Sequence, residues 1–202
     1  MKKKSFNIII AGVGGQGIIT LLRILAEAAL IEGREVRTSE LHGLSQRGGS
    51  VRAHLRIGFK SSLRSGKEIY SPLISSGQAD MVLALEICEG LRASPFINKG
   101  TIFLVNKKFI PYSNGLSEKE ILRKFKKISG KIYFVEASKF CREAFGQEIL
   151  AGIFLIGFAA TRKLIPFQIE SIQEAVKRVI NKKYLRLNLK TLELAKSTTE
   201  KF

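Results

Sequence analysis

The 202-residue sequence predicts a single α/β domain with a mainly parallel open sheet and helices on both faces. Apolar runs typical of strands alternate along the chain with segments at helical spacing. The first strand leads through a glycine-rich turn into a helix, a Rossmann-like start, and the C-terminal part is helical. Hydrophobic residues make up 45% of the chain, enough for one substantial core. Residues 1–202 are therefore treated as one domain.

The first part of the chain predicts three strands and one helix. Ser5–Gly12 is a continuous apolar run, as expected for a strand buried on both faces. Ile18–Ile31 has apolar residues at helical spacing, and Glu35–Leu41 predicts the second strand. Ser50–Phe59 alternates apolar and polar residues, which predicts a half-exposed strand. Its His54 falls on the polar face, so we expect it to be exposed or at an interface.

The second part of the chain continues the alternation and then becomes helical. Ser117 opens a helix with Glu120 three residues later, a capping-box pattern. Pro166 separates two of the last three helices. The remaining predicted strands are Asp80–Leu85, Thr101–Val105 and Lys131–Val135, and the remaining helices are Glu86–Ala93, Gln147–Lys163, Gln168–Ile180 and Lys183–Ala195.

The formal net charge of +17 is large for this length. A nucleic-acid ligand, an acidic partner, an anionic small molecule or a basic proteome would each account for it. The basic residues are spread along amphipathic helices, with neither an aromatic–basic stacking platform nor a helix-turn-helix pattern. Nucleic-acid binding is therefore not favoured.

The cysteine content and the apolar runs indicate a cytoplasmic protein. Cys88 and Cys141 are too few for a four-iron cluster, form no zinc pattern and are expected to be free thiols. The chain shows no export signal and no apolar stretch of membrane-spanning length. We expect no membrane association.

The strongest local motif is a G-x-G-x-x-G turn between the first strand and the first helix. Such a turn allows close approach of a ligand, and the helix start offers N–H groups to an anion. It fits a dinucleotide, another anionic ligand, or tight packing of the helix alone. A dinucleotide needs an acid near the end of strand two, where Glu40 stands. The candidate binding residues are Gly12, Gly14, Gly15, Gln16 and Gly17.

A second cluster follows strand two, at the sheet edge where open α/β sheets bind ligands. Arg47 beside two glycines suits a phosphate or carboxylate, although a solvated arginine in a turn fits the pattern too. His42 could act as a general base or as a contact residue, but no complete catalytic set is identifiable, so we name no catalytic residue and no metal site. The candidates for binding are Arg47, Gly48 and Gly49, and those for substrate or interface contact are Glu40, His42, Ser45 and Gln46.

The two motifs together resemble the gamma-type domain of the 2-oxoacid:ferredoxin oxidoreductases, known for G-x-G-G-Q-G after the first strand and R-G-G after the second. Residues 42–51, HGLSQRGGSV, are similar to the beta subunits of the indolepyruvate branch. Ser71–Ile74 and Gly77–Asp80 are similar to the family's S-P-x-I and G-x-A-D segments. Gly152 departs from the pattern, since an asparagine is expected in that late helix.

The resemblance implies a role inside a larger, oxygen-sensitive enzyme. The complete enzyme decarboxylates an arylpyruvate on thiamine diphosphate, passes electrons through iron–sulfur clusters to ferredoxin and releases an acyl-CoA. It also implies that a large alpha subunit holds thiamine diphosphate and the clusters, because this chain has neither a G-D-G…N-N motif nor enough cysteines. The chain is then inactive alone, reaches ferredoxin through the complex, and can contact coenzyme A through the glycine turn and Arg47.

Other interpretations stay open at this point. The substrate could instead be pyruvate, 2-ketoisovalerate or 2-oxoglutarate, because fold and family do not fix it. A stand-alone dinucleotide-dependent oxidoreductase is a further alternative.

Overall fold

The computed structural model describes residues 5–43, 45, 48–59, 69–112, 115–128 and 130–199. Within these ranges the chain forms six strands and seven α-helices that largely follow the predicted alternation. The strands are β1 (Ser5–Val13), β2 (Val36–His42), β3 (Ser50–Gly58), β4 (Met81–Ala84), β5 (Ile102–Asn106) and β6 (Lys131–Val135), and the helices are α1 (Ile18–Ile31), α2 (Ile87–Arg92), α3 (Glu118–Phe125), α4 (Ala137–Phe145), α5 (Ala151–Thr161), α6 (Ile169–Val179) and α7 (Lys182–Thr199).

The six strands form one sheet in the order β2-β3-β1-β4-β5-β6. Strands β1, β4, β5 and β6 are parallel, whereas β3 is antiparallel to both of its neighbours, β1 and β2. The predicted mainly parallel sheet is confirmed. After β1 the chain builds one side of the sheet, and it later builds the other side starting with β4. The carboxyl ends of β1 and β4 therefore flank a topological switch point, the usual place for a ligand in such sheets.

The predicted layers on both faces of the sheet are also confirmed. In β1, Ile8 and Ile10 face a core that includes residues of α1, α5, α6 and α7. Ile9 and Ala11 face the opposite core, which α2 and α3 cover. A strand that contacts a core on each face is apolar at consecutive positions, which explains the run Ile8–Ala11 in the sequence.

Local sequence patterns predicted some of the helix ends and missed others. Ser117 and Glu120 form the predicted capping box at the start of α3. Helix α4 was not predicted separately; it ends at Gly146 in a left-handed conformation. The short 3-10 turn Glu148–Leu150 precedes α5, so α5 begins later than predicted. In the described ranges, no helix is both long and apolar enough to cross a bilayer.

We expected His54 to be exposed or at an interface. The expected exposure is wrong, because only 2% of the residue is accessible. The alternation placed it on the correct face of β3, opposite Val51. That face, however, is covered by a segment that follows β3 in the chain: Ile74 donates its backbone N–H to His54 Nδ1 at 3.0 Å. The ring of Phe96 packs edge-to-face against the imidazole, with centroids 5.2 Å apart. Such long-range cover leaves no trace in a local pattern.

Candidate functional site at the glycine turns

The first glycine turn connects the end of β1 to the start of α1. Gly15 has a φ of 100° and no atom lies within 4 Å of where its Cβ would stand, so this backbone is open to a ligand. Gly17, with a φ of 81°, caps α1 without a side-chain hydrogen bond. The first N–H groups of α1 have no partner within the helix, which favours an anionic group in front of them.

Gln16 holds this turn in shape from inside. Its Oε1 accepts a hydrogen bond from the backbone N–H of Val13 at 2.8 Å, and its Nε2 reaches the carbonyl oxygen of Leu85 at 3.5 Å. A Cβ on Gly12 would stand 2.7 Å from Gln16 Oε1, so position 12 must be glycine for the amide to fit. In the described structure, the hydrogen bonds of the Gln16 amide stabilise the turn itself.

The second glycine turn is hydrogen-bonded to the first. Gly14 N donates to Gly49 O at 2.8 Å, and Gly48 N donates to Gly14 O at 3.3 Å. The structure thus brings together the two motifs that the sequence placed about 30 residues apart. Ser45 is exposed, whereas Gln46 and Arg47 lie outside the described residues.

Glu89, on α2, anchors the start of β3, where the second turn ends. Its Oε2 accepts a hydrogen bond from Ser50 Oγ at 2.5 Å, and its Oε1 pairs with Arg92 Nη1 at 2.7 Å. Glu89 is buried, as is Glu86, whose carboxylate accepts bonds from the N–H groups of Glu89 and Ile110. Burial raises the pKa of Glu86 above its usual value. Both carboxylates are thus engaged in structural contacts, Glu89 with side chains and Glu86 with backbone N–H groups.

An open cleft of about 450 Å³ lies on the β2 side of the first turn. Glu40 and His42 line it together with the turn, as the sequence predicted, and both are exposed. His42 Nδ1 lies 3.1 Å from the carbonyl oxygen of Gly43, and among the described residues no catalytic relay includes it. Because β3 is inserted between β1 and β2, Glu40 stands two strands from the turn, about 10 Å, rather than on the adjacent strand of a dinucleotide fold. This placement weakens the dinucleotide interpretation.

A smaller cavity of about 140 Å³ lies on the other side of the same turn, at the switch point between β1 and β4. Asn106 forms its buried floor: Nδ2 donates to Leu85 O at 3.1 Å and to Ser138 Oγ at 2.7 Å, while Oδ1 accepts from Ser138 N at 3.1 Å. This cavity was not predicted. Its lining residues are Gly15, Gln16, Leu85, Asn106, Lys108, Ser138, Glu148, Ile149, Ala151 and Gly152.

The cavity combines a paired lysine and glutamate with the starts of helices. Lys108 forms an ion pair with Glu148, which also binds Arg142 Nη1 at 2.6 Å. The hydrogen bond from Lys108 lowers the pKa of Glu148 below its usual value. The residues that precede or open α1, α4 and α5 all contribute to the lining, so three helix N-termini add positive potential. The sequence signal that could have found the site is the rule that polar residues gather just after parallel strands, here Asn106, Lys108 and Ser138.

Gly152, the departure from the family pattern, is explained by packing. A Cβ at this position would stand 2.5 Å from Leu21 Cδ1 on α1. An asparagine would therefore require the Leu21 side chain or one of the two helices to shift. Among the described residues, no group of three or more His, Cys, Asp or Glu side chains could hold a metal ion.

The family model described as pyruvate ferredoxin/flavodoxin oxidoreductase matches residues 7–198. The chain belongs to this family. Membership confirms the family that the two glycine motifs indicated, and with it the expectation that the chain serves an enzyme as a subunit.

Relatives within the pyruvate ferredoxin/flavodoxin oxidoreductase family are similar over nearly their whole length. The indolepyruvate oxidoreductase subunit IorB of Archaeoglobus fulgidus is 37% identical, covering 93% of this chain and 92% of that protein. IorB of Thermococcus kodakarensis is 35% identical, covering 95% and 94%. The common gamma subunit of the pyruvate/ketoisovalerate oxidoreductases of Pyrococcus furiosus is 31% identical and covers 95% of each.

Two solved structures of the family share the fold. The pyruvate oxidoreductase subunit PORC of Thermotoga maritima has a TM-score of 0.71 at 22% identity, over 98% of this chain and 97% of that one. The 2-oxoglutarate:ferredoxin oxidoreductase of Magnetococcus marinus, solved with 2-oxoglutarate, coenzyme A and succinyl-CoA, has a TM-score of 0.74 at 20% identity. It matches all of this chain but only 32% of its own.

Proposed function

We propose that the chain is the small, beta subunit of an indolepyruvate:ferredoxin oxidoreductase. The observation that carries this proposal is the 35–37% identity, over more than nine-tenths of each chain, to IorB proteins of three archaea. Residues 42–51, which resemble the indolepyruvate branch, support the same substrate. The complete enzyme would convert indolepyruvate and coenzyme A to the acyl-CoA and carbon dioxide while reducing ferredoxin.

The proposed role of this chain is to complete the complex, and the partner carries the chemistry. His42, the one site residue suited to proton transfer, is exposed and forms no relay within the described structure. The described side chains also offer no group for a metal cluster. Thiamine diphosphate and the iron–sulfur clusters are therefore assigned to a large alpha subunit. A cytoplasmic complex fits the two free thiols, Cys88 and Cys141, which a reducing compartment maintains.

The proposed contact with coenzyme A lies at the glycine turn, on the side of the switch-point cavity. Coenzyme A carries phosphates, and this side offers Ser138, three helix starts and Lys108, which is paired with Glu148 in the same lining. Arg47, which precedes Gly48 in the sequence, is a further candidate for the same phosphates. We expect Lys108→Gln or Arg47→Ala to raise the KM for coenzyme A several-fold in the complex, and exposed Lys99→Gln to leave it unchanged. An unaltered KM in both variants would remove these residues from the site.

The test of the overall function is reconstitution. The chain is co-expressed with the large subunit from the same genome, purified without oxygen, and assayed for ferredoxin reduction that depends on both indolepyruvate and coenzyme A. We expect activity from the complex and none from either subunit alone. Turnover of a redox substrate by the isolated chain would contradict the proposal.

The second candidate is a pyruvate or 2-ketoisovalerate enzyme, which the 31% identity to the P. furiosus gamma subunit favours. A panel of indolepyruvate, pyruvate, 2-ketoisovalerate and 2-oxoglutarate distinguishes the two. A higher kcat/KM for any of the last three than for indolepyruvate would replace the first candidate.

A further inference from the structure

Strand β6 forms an open edge of the sheet. It pairs with β5 on one side, and no other strand of the described residues covers its second side. Most of β6 is exposed or half-exposed, and 39% of Phe134 is accessible. An uncovered strand edge with apolar side chains is a template for another strand, and proteins usually block such edges unless a partner uses them.

An apolar groove of about 490 Å³ runs beside this edge, between α3 and α4. Phe125 and Phe134 meet there edge-to-face, with ring centroids 5.3 Å apart. The groove could therefore receive the alternate side chains of an added strand. Five of its lining residues are apolar and three are charged: Leu122, Phe125, Ile132, Phe134, Phe140, Lys107, Lys126 and Glu136.

The surroundings of the groove are strongly basic. Glu136 is already shared between Lys107, at 3.5 Å, and Lys139, at 3.6 Å. Lys126 lines the groove, and three lysines close to lining residues in the sequence are exposed as well; within the described parts of the chain none of the four forms an ion pair: Lys124, Lys126, Lys127 and Lys131. These lysines account for part of the +17 net charge that the proposed function leaves unused.

The charge decides between possible occupants of the edge. Pairing of β6 with β6 of a second copy would bring two sets of these lysines together, and like charges across a strand pair are destabilising. An acidic strand would neutralise them, and complementary charge also speeds association. The surface therefore fits an acidic partner better than another copy of this chain.

We propose that β6 and its groove receive an extended, acidic segment of the enzyme's large subunit as a seventh strand. This inference rests on the proposed function only in requiring a partner subunit. Backbone hydrogen bonds to β6 would supply affinity, apolar side chains in the groove would set the register, and acidic residues would face Lys126 and Lys131.

Two measurements on the co-expressed complex test the proposal. Hydrogen–deuterium exchange of residues 131–135 is expected to slow in the complex relative to the isolated subunit. The double substitution Lys126→Glu/Lys131→Glu is expected to weaken binding to the large subunit about tenfold or more at low salt. The matched control, Lys182→Glu/Lys183→Glu at the exposed start of α7, is expected to change binding little.

Three results would overturn the proposal: unchanged exchange of residues 131–135 in the complex, equal effects of the two double substitutions, or protection of this segment in a dimer of the isolated chain. Light scattering of the isolated chain identifies the dimer. All these measurements are made without substrate, so a failure of the indolepyruvate assay remains a separate result.

Discussion

The two sides of β1 are held together by different forces. On the parallel side, β4 and β5 are almost wholly apolar, and Phe103, Leu104 and Val105 have no accessible surface. On the antiparallel side, one face of β3 is also core, with Leu55 and Ile57 fully buried, but the other face carries polar contacts: Arg56 donates to Asn7 Oδ1 at 3.2 Å and to Ser71 O at 2.9 Å. The parallel side is thus apolar on both faces, whereas the antiparallel side adds hydrogen bonds that fasten the segment that follows β3.

The largest expected effect lies on the parallel side. Phe103→Ala removes a ring with no accessible surface that packs against Phe125, and should cost about 3–5 kcal/mol of unfolding free energy. Urea unfolding of the isolated subunit measures it. Tyr70→Ala, at an 83% exposed residue, is the control and should change stability by about 0.5 kcal/mol or less. If both variants lose similar amounts of unfolding free energy, Phe103 does not contribute more to stability than an exposed surface residue does.

The next largest effect concerns the contact between α1 and α5, where Gly152 lies against Leu21. Gly152→Asn places a Cβ against Leu21, and should cost about 1–3 kcal/mol through overpacking. Because Leu21→Ala clears that space, the double variant should lose less stability than the sum of the single variants. A double-mutant cycle by urea unfolding measures the coupling. If the stability losses of the two single variants simply add up in the double variant, the close approach of α5 to α1 is not the reason that residue 152 is glycine.

The smallest expected effect is a change of stability with pH, and it tests the antiparallel side of β1. Burial, with Arg52 nearby, lowers the pKa of His54 from 6.5 to about 4. The unfolded chain therefore binds the proton more readily between pH 4 and 6.5, and His54 should lower stability as pH falls through that range. Between pH 7 and pH 5 the loss should be about 1–2 kcal/mol.

His54→Asn supplies the matched variant for this measurement, because it keeps an acceptor for the N–H of Ile74 and removes the titration. The difference in unfolding free energy between wild type and variant should change with pH over this window. A difference that stays constant from pH 7 to pH 5 would mean that His54 has an ordinary pKa.

The same contrast explains what the sequence could predict. The apolar runs at Ser5–Gly12 and Asp80–Leu85 matched real strands, because burial on both faces leaves a local signature. The antiparallel insertion of β3 and the burial of His54 depend on pairing partners far along the chain, so no local pattern contained them. The capping box at Ser117 was predictable because both of its partners lie within four residues.

The candidate site was predictable to a similar degree. The two glycine turns, Glu40 and His42 do meet, as expected from the edge that parallel strands share. The switch-point cavity was missed because Asn106 and Lys108 lie at the end of β5 whereas Ser138 follows β6, about 30 residues later, so the three show no joint spacing. Gln16 carried the family motif, but its use inside the turn follows from hydrogen bonds to Val13 and Leu85 that a motif cannot express.

The hydrogen bonds between Gly14 and the second turn have a consequence for redesign. Gly15 is a shared wall, since it lines both the cleft toward β2 and the cavity toward β4. Any substitution that shifts this wall to enlarge one opening narrows the other. Variants with altered ligand preference will therefore need compensating changes on both sides of the wall.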